Sequence, residues 1–165
     1  MATIDITQNF MSPKEFRFSI ERLPHVTYFA QDANIPGISA NPTITQTPFK
    51  EIYTHGDRLT WNTFSVTVRI DEDMNNFIEI FNWMQGLNYP DEFDQYASLV
   101  KGDGLYSDAT LTVLSNAKNP NVEFRFKDIF PISMGDVILT VQDVDIEYAT
   151  TEITFQTNGY TIHQL

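Results

Sequence analysis

The run Phe64-Ser65-Val66-Thr67-Val68-Arg69-Ile70 puts Phe64, Val66, Val68 and Ile70 on one side of an extended chain and Ser65, Thr67 and Arg69 on the other. A period of two over seven residues, rich in β-branched and aromatic side chains, is the pattern of a half-buried strand. The same alternation recurs upstream, where Phe16, Phe18 and Ile20 interleave with Glu15, Arg17, Ser19 and Glu21 until Leu23-Pro24 ends the run. Residues 26–33 read as a second extended segment that enters a turn at Asn34-Ile35-Pro36-Gly37. Residues 41–53 alternate Thr43, Thr45 and Thr47 with Ile44 and Gln46, but carry Pro42 and Pro48. Proline donates nothing to a ladder, so this segment suits a sheet edge or a long loop.

Downstream the period changes. After Asp71-Glu72-Asp73, the residues Phe77, Ile80, Phe81 and Met84 recur at helical spacing, predicting one helix over 74–85 that docks through those four side chains. An Asp at its start is the expected cap, and Gly86 the expected stop. Residues 89–108 hold at most a short helix around 93–99, then a turn at Gly102-Asp103-Gly104. Leu111 and Val113, then Val122, Phe124 and Phe126, alternate with polar neighbours on either side of turn residues 116–121, which predicts a hairpin. Further extended segments are read at 137–141 and 153–157, with Asn158-Gly159 as a hairpin turn or bulge before Tyr160 and Ile162. The expected fold is mainly β: one domain over 1–165, a β-sandwich or small barrel of about eight strands with one packed helix.

The composition narrows function more than it names it. Ten Lys and Arg against 22 Asp and Glu give a formal charge of −12, which argues against a surface that binds nucleic acid by neutralising phosphates. There is no cysteine, so disulfides, thiolate metal sites and thiol nucleophiles are excluded, and a reducing compartment is the natural expectation. Met1 to Phe10 lacks a basic start followed by an apolar run, and no stretch reaches the ~18 apolar residues of a helical span, so no membrane association is expected.

Catalytic and metal motifs fail one by one. His25, His55 and His163 lie far apart with no second ligand at metal spacing. Asp71, Asp73 and Asn75 resemble the start of a calcium loop, but Asn76 and Asn82 stand where that loop needs Gly and Glu. Gly102 and Gly104 are followed by Ser107 where a dinucleotide fingerprint needs Gly or Ala. The expectation is therefore no enzyme, no metal and no cofactor. Trp83 falls within the apolar helix pattern and reads as core or interface.

Charge is distributed unevenly. Asp71, Glu72, Asp73, Glu79, Asp91, Glu92 and Asp94 lie in a stretch without Lys or Arg, and so do Asp128, Asp136, Asp143, Asp145, Glu147 and Glu152. In Asp143-Val144-Asp145-Ile146-Glu147-Tyr148 the alternation is strict, which is either a strand with three carboxylates on one side or a solvated connection.

The order of motifs resembles the tail tube proteins of contractile-tailed bacteriophages and, more distantly, the tubes of type VI secretion. It runs through Phe16-Arg17-Phe18-Ser19-Ile20, Asn34-Ile35-Pro36-Gly37-Ile38, Pro48-Phe49 and Gly56-Asp57-Arg58. It continues through residues 64–70, Asp71-Glu72, a short helix bearing Trp83, residues 129–136 and a terminal strand over 152–162. The resemblance implies a hexameric ring in which each subunit gives long strands to a shared inner β-barrel. Rings stack head to tail, with sheath, baseplate and tape-measure proteins as partners, and DNA passes through without specific binding. It implies a virion tail assembled in the host bacterial cytoplasm. Asp143, Asp145 and Glu147 are then the candidate lumen-facing acids, because a negative wall does not retain a polyanion. Residues 85–108 look longer than the family's link, so a main tube subunit and a ring at the baseplate or tail terminus both fit. A monomeric, non-viral β-sandwich binding module is the alternative of another class.

Overall fold

The computed structural model describes residues 10–102, 104–141 and 148–165. Along the chain these form β1 (Phe16–Ile20), α1 (Pro24–Phe29), β2 (Ala30–Ala33), β3 (Ile38–Ala40), β4 (Thr43–Gln46), β5 (Glu51–Thr54), β6 (Leu59–Trp61) and β7 (Phe64–Arg69). They continue as α2 (Asn75–Asn88), α3 (Phe93–Lys101), β8 (Ser107–Leu114), β9 (Pro120–Met134), β10 (Thr150–Gln156) and β11 (Gly159–Gln164). The mainly β expectation holds, with eleven strands and three helices among the described residues in place of about eight and one.

Seven strands form one antiparallel sheet in the order β1-β8-β9-β10-β7-β2, with β11 also pairing β9. The 15-residue β9 is its spine, about 50 Å of extended chain at ~3.3 Å per residue. Its first half pairs with β8 and β11 and its second half with β10. Asp128 in β9 takes φ 51, and there Phe126 and Ile129 both point inward, so one extra residue is bulged out and the strand bends. β10 and β11 do not form a hairpin. Gln156 faces Phe130 and Gly159 faces Lys127, so both run in one register along β9, and Thr157-Asn158 is a break within one long strand. The buried Thr157 hydroxyl bonds to the Lys127 carbonyl and receives the Gly159 amide, satisfying the break.

The sheet folds over on its aromatics. Phe64 of β7 stacks on Phe126 of β9 at 4.6 Å and lies 5.6 Å from Phe18 of β1, which is far away in strand order. Phe64, Val66 and Val68 are all essentially unexposed, as the alternation of residues 64–70 requires.

Three readings are corrected here. Residues 24–29 are helical, because Pro24 suits a first helical turn and the turn buries Val26 against the sheet. Residues 137–141 form no regular element: Ile138, Leu139 and Val141 are exposed, with no partner strand among the described residues. In α2 the buried line is Asn76, Ile80, Trp83 and Gly86. Of the four residues expected to dock it, Ile80 is buried, Phe77 and Met84 are half-buried, and Phe81 is 48% exposed. The helical stripe is rotated by one residue because polar Asn76 enters the core, its side-chain amide donating to the Arg69 carbonyl at 2.7 Å. Trp83 is core, its indole N–H donating to the Leu105 carbonyl at 3.1 Å.

The helix caps differ as well. The N-cap residue is Met74 at φ 55, with no side-chain cap, and its amide is held by the Asp71 carbonyl. Gly86 lies inside α2, where a Cβ would come within 2.5 Å of Leu99, so it serves the seating of α3 rather than the end of the helix.

Candidate assembly surfaces

One ribbon leaves the body. Ala33 pairs with Val66, Ile38 with Trp61, Ala40 with Leu59, Thr43 with Thr54 and Gln46 with Glu51. The Asn34 amide to the Ser65 carbonyl and the Asn62 amide to the Gly37 carbonyl fill the gap between the first two pairs. The two strands thus run together from the core pair β2–β7 to a tip at residues 47–50. That tip is closed by the Thr47 amide and hydroxyl, both donating to the Lys50 carbonyl. Near its root, Gly56 passes so close to Asn41 that a Cβ would stand 1.7 Å from the Asn41 carbonyl oxygen. Every residue of β4 and β5 is exposed, and Phe49 at the tip is 98% exposed. An unsupported two-stranded ribbon is marginal in water, so this arm has the form of an element completed by something else.

The sheet also has open edges. Among the described residues β1 pairs only with β8 and β11 only with β9, so each has an outer edge without a partner strand, although on β1 the Ile20 amide and carbonyl bond the Thr27 hydroxyl. Between them lies a polar face with two cross-strand rows: Arg17, Thr112, Glu123 and His163; and Ser19, Thr110, Arg125 and Thr161. Arg125 donates to Glu123 at 3.0 Å, and that hydrogen bond holds the Glu123 carboxyl below its ordinary value and raises the Arg125 guanidinium.

The proposed lumen acids Asp143, Asp145 and Glu147 lie outside the described residues. The other base-free stretch lies on α2 and its flanks. Glu79 receives His25 Nδ1 at 2.6 Å, Gln85 donates to Asp91, and Glu72, Asp73, Glu92 and Asp94 are exposed. Among the described residues no three His, Asp or Glu side chains gather as metal ligands do, and no helix is long and apolar enough to cross a membrane. Sequence reading marked residues 41–53 by their prolines but missed the arm, since threonines on both strands hide which face, if any, is covered.

No protein-family model and no curated protein sequence matches this chain. Solved structures do. The tube-terminating cap of the anti-feeding prophage superposes with a TM-score of 0.71 at 13% identity, covering 99% of this chain and 97% of that one. A chain of the sheath-tube complex of the PVC extracellular contractile injection system gives 0.69 at 13% identity, covering 96% and 95%. A type six secretion system protein is more distant, at 0.50 and 9% identity over 89% and 81%. The chain therefore has the fold of contractile-system tube and cap proteins, as its motif order led one to expect.

Proposed function

We propose that this chain is a structural, non-enzymatic subunit of a contractile-system tail tube, one domain per copy and six copies per ring. Rings stack inside a sheath above a baseplate and around a tape-measure protein. The observation that carries this reading is the end-to-end match, almost without remainder on either side, to chains of a tube cap and a sheath-tube complex. Open edges at β1 and β11 support lateral joining of copies, since exposed edges are normally protected or used. The arm supports contact beyond the ring.

In a virion the cargo is DNA, and Asp143, Asp145 and Glu147 repeated sixfold make a wall on which a polyanion finds no counter-charge. Replacing all three by Lys makes the lumen retain DNA, with slow ejection that recovers as salt rises. Normal ejection from correctly assembled mutant tails removes these residues from the lumen. The terminator-like cap match favours a second reading, a ring that closes a tube instead of extending it. Light scattering over a concentration series with negative-stain microscopy separates these: rods support the tube subunit, single rings the terminator, and a strict monomer contradicts both.

A further inference from the structure

The break between β10 and β11 carries a labile dipeptide. Gly159 takes φ 149, a backbone conformation that side chains rarely adopt, so the fold itself calls for glycine there. The residue before it is Asn158, which is exposed and is the one asparagine of the chain followed by glycine. Asparagine ahead of glycine is where a chain most readily modifies itself, because no Cβ keeps the glycine nitrogen from the asparagine side chain. In this fold that nitrogen is held. Its N–H donates to the Thr157 hydroxyl at 3.1 Å. The same hydroxyl lies 2.8 Å from the Gly159 carbonyl and 3.2 Å from the Lys127 carbonyl, its own proton shared between them. Thr157 is 2% exposed, so water does not compete for these bonds.

We infer that Asn158 is a self-modification site of this chain, and that the Thr157 hydroxyl is the group that keeps it slow in the folded state. In the reaction the Gly159 nitrogen gives its proton to solvent and bonds to Asn158 Cγ. The bond from Cγ to the side-chain nitrogen breaks, that nitrogen takes up a proton and leaves as ammonia, and a cyclic succinimide remains. Water then opens the ring. Breaking the new bond to Cγ gives aspartate with the backbone restored, whereas breaking the older bond to the Asn158 carbonyl carbon gives isoaspartate, whose backbone is longer by an atom. Water is consumed, ammonia is released, and nothing is oxidised or reduced. Isoaspartate cannot keep both flanking pairings, since Gln156 opposite Phe130 and Gly159 opposite Lys127 share one register. A nitrogen whose proton rests on a buried hydroxyl neither sheds that proton nor swings toward Cγ.

The full chain is incubated at mildly alkaline pH and Asn158 is followed by peptide mass spectrometry, with an isoaspartate-specific methyltransferase as a second readout. The folded wild type is expected to convert at least about tenfold more slowly than the same chain in guanidinium chloride, where the site opens freely. Thr157→Val keeps the shape and removes the hydroxyl, so conversion should rise at least about fivefold, the worth of one hydrogen bond, with folding verified by circular dichroism. Thr157→Ser restores the hydroxyl and, with it, the slow rate. Thr151→Val separates guarding from general loosening, since it also removes a buried hydroxyl, the one that donates to the Gly135 carbonyl at 2.9 Å, and should leave Asn158 as slow as in the wild type. No conversion in the unfolded chain, or conversion as fast folded as unfolded, overturns the inference. So does a Thr157→Val rate equal to the wild type, a Thr157→Ser rate as fast as that of Thr157→Val, or equal acceleration by Thr151→Val.

Discussion

β7 and the β4–β5 arm belong to one ribbon and are written in the same alternating style, yet they end in opposite environments. In β7 every second residue is a large apolar group, and Phe64, Val66 and Val68 vanish into the core. In the arm the pairs are Thr43 with Thr54, Ile44 with Tyr53 and Thr45 with Ile52, and both faces are exposed. Alternation thus specifies an extended chain, and the size and polarity of the repeated residue decide whether anything covers it. The body covers its own strands, while nothing among the described residues covers the arm.

The largest effect expected from this contrast is in the body. Phe64→Ala removes a fully buried ring that stacks on Phe126, and about 3–5 kcal/mol should be lost in denaturant unfolding. At the arm's root, Gly56→Ala forces the Asn41 backbone to move, yet the exposed ribbon can relax. Unfolding should change by about 1 kcal/mol or less, while stacking in sedimentation is lost. Equal damage to stability from both variants would erase the distinction between body and arm.

Within α2 the same contrast recurs on one helix. Ile80→Ala should cost about 2–5 kcal/mol and Phe81→Ala less than about 1 kcal/mol, because Ile80 is sealed and Phe81 is half in solvent. Similar losses from the two would show that the sequence-based docking face was right after all.

The smallest effect concerns the polar sheet face. Arg125→Ala should let the Glu123 carboxyl return toward 4.5, followed by NMR titration. Since the folded value is the lower one, any stability Glu123 adds is present above 4.5 and fades as pH falls through the folded value. Arg125 is exposed and Glu123 partly so, so that pH dependence should be slight and salt-sensitive.

Much of the body was legible because its strands carry one uncovered and one covered face. Residues 16–20, 64–70 and the 111–126 hairpin announce themselves by alternation, and each forms where that reading put it. The rest failed for identifiable reasons. Two overlapping stripes fit α2, and the true one begins with a polar Asn76 whose value lies in a hydrogen bond to β7 that no hydropathy pattern records. Residues 24–29 hold β-branched and aromatic groups that local preference assigns to strands, and tertiary packing of Val26 overrides it. Residues 137–141 are an apolar run, Val-Ile-Leu-Thr-Val, of a length that suits a strand, but they form no regular element. The arm was half visible: its prolines mark the ends of short strands, while its lack of an apolar face conceals both the pairing and the purpose. A cleft lined by residues 29, 69–72, 74, 137, 139, 148 and 149 was not legible, since the fold alone gathers them.

Hydrogen exchange on the arm tests the division between self-supporting body and borrowed support most directly. In the dispersed chain, amides of Thr43–Gln46 and Glu51–Thr54 should exchange at nearly unprotected rates while those of Val66, Val68 and Ile153 stay protected. On assembly the arm should slow at least about a hundredfold, with the β7 amides little changed. An arm as protected as β7 in the lone chain, or still fast in assembled rods, would contradict the account.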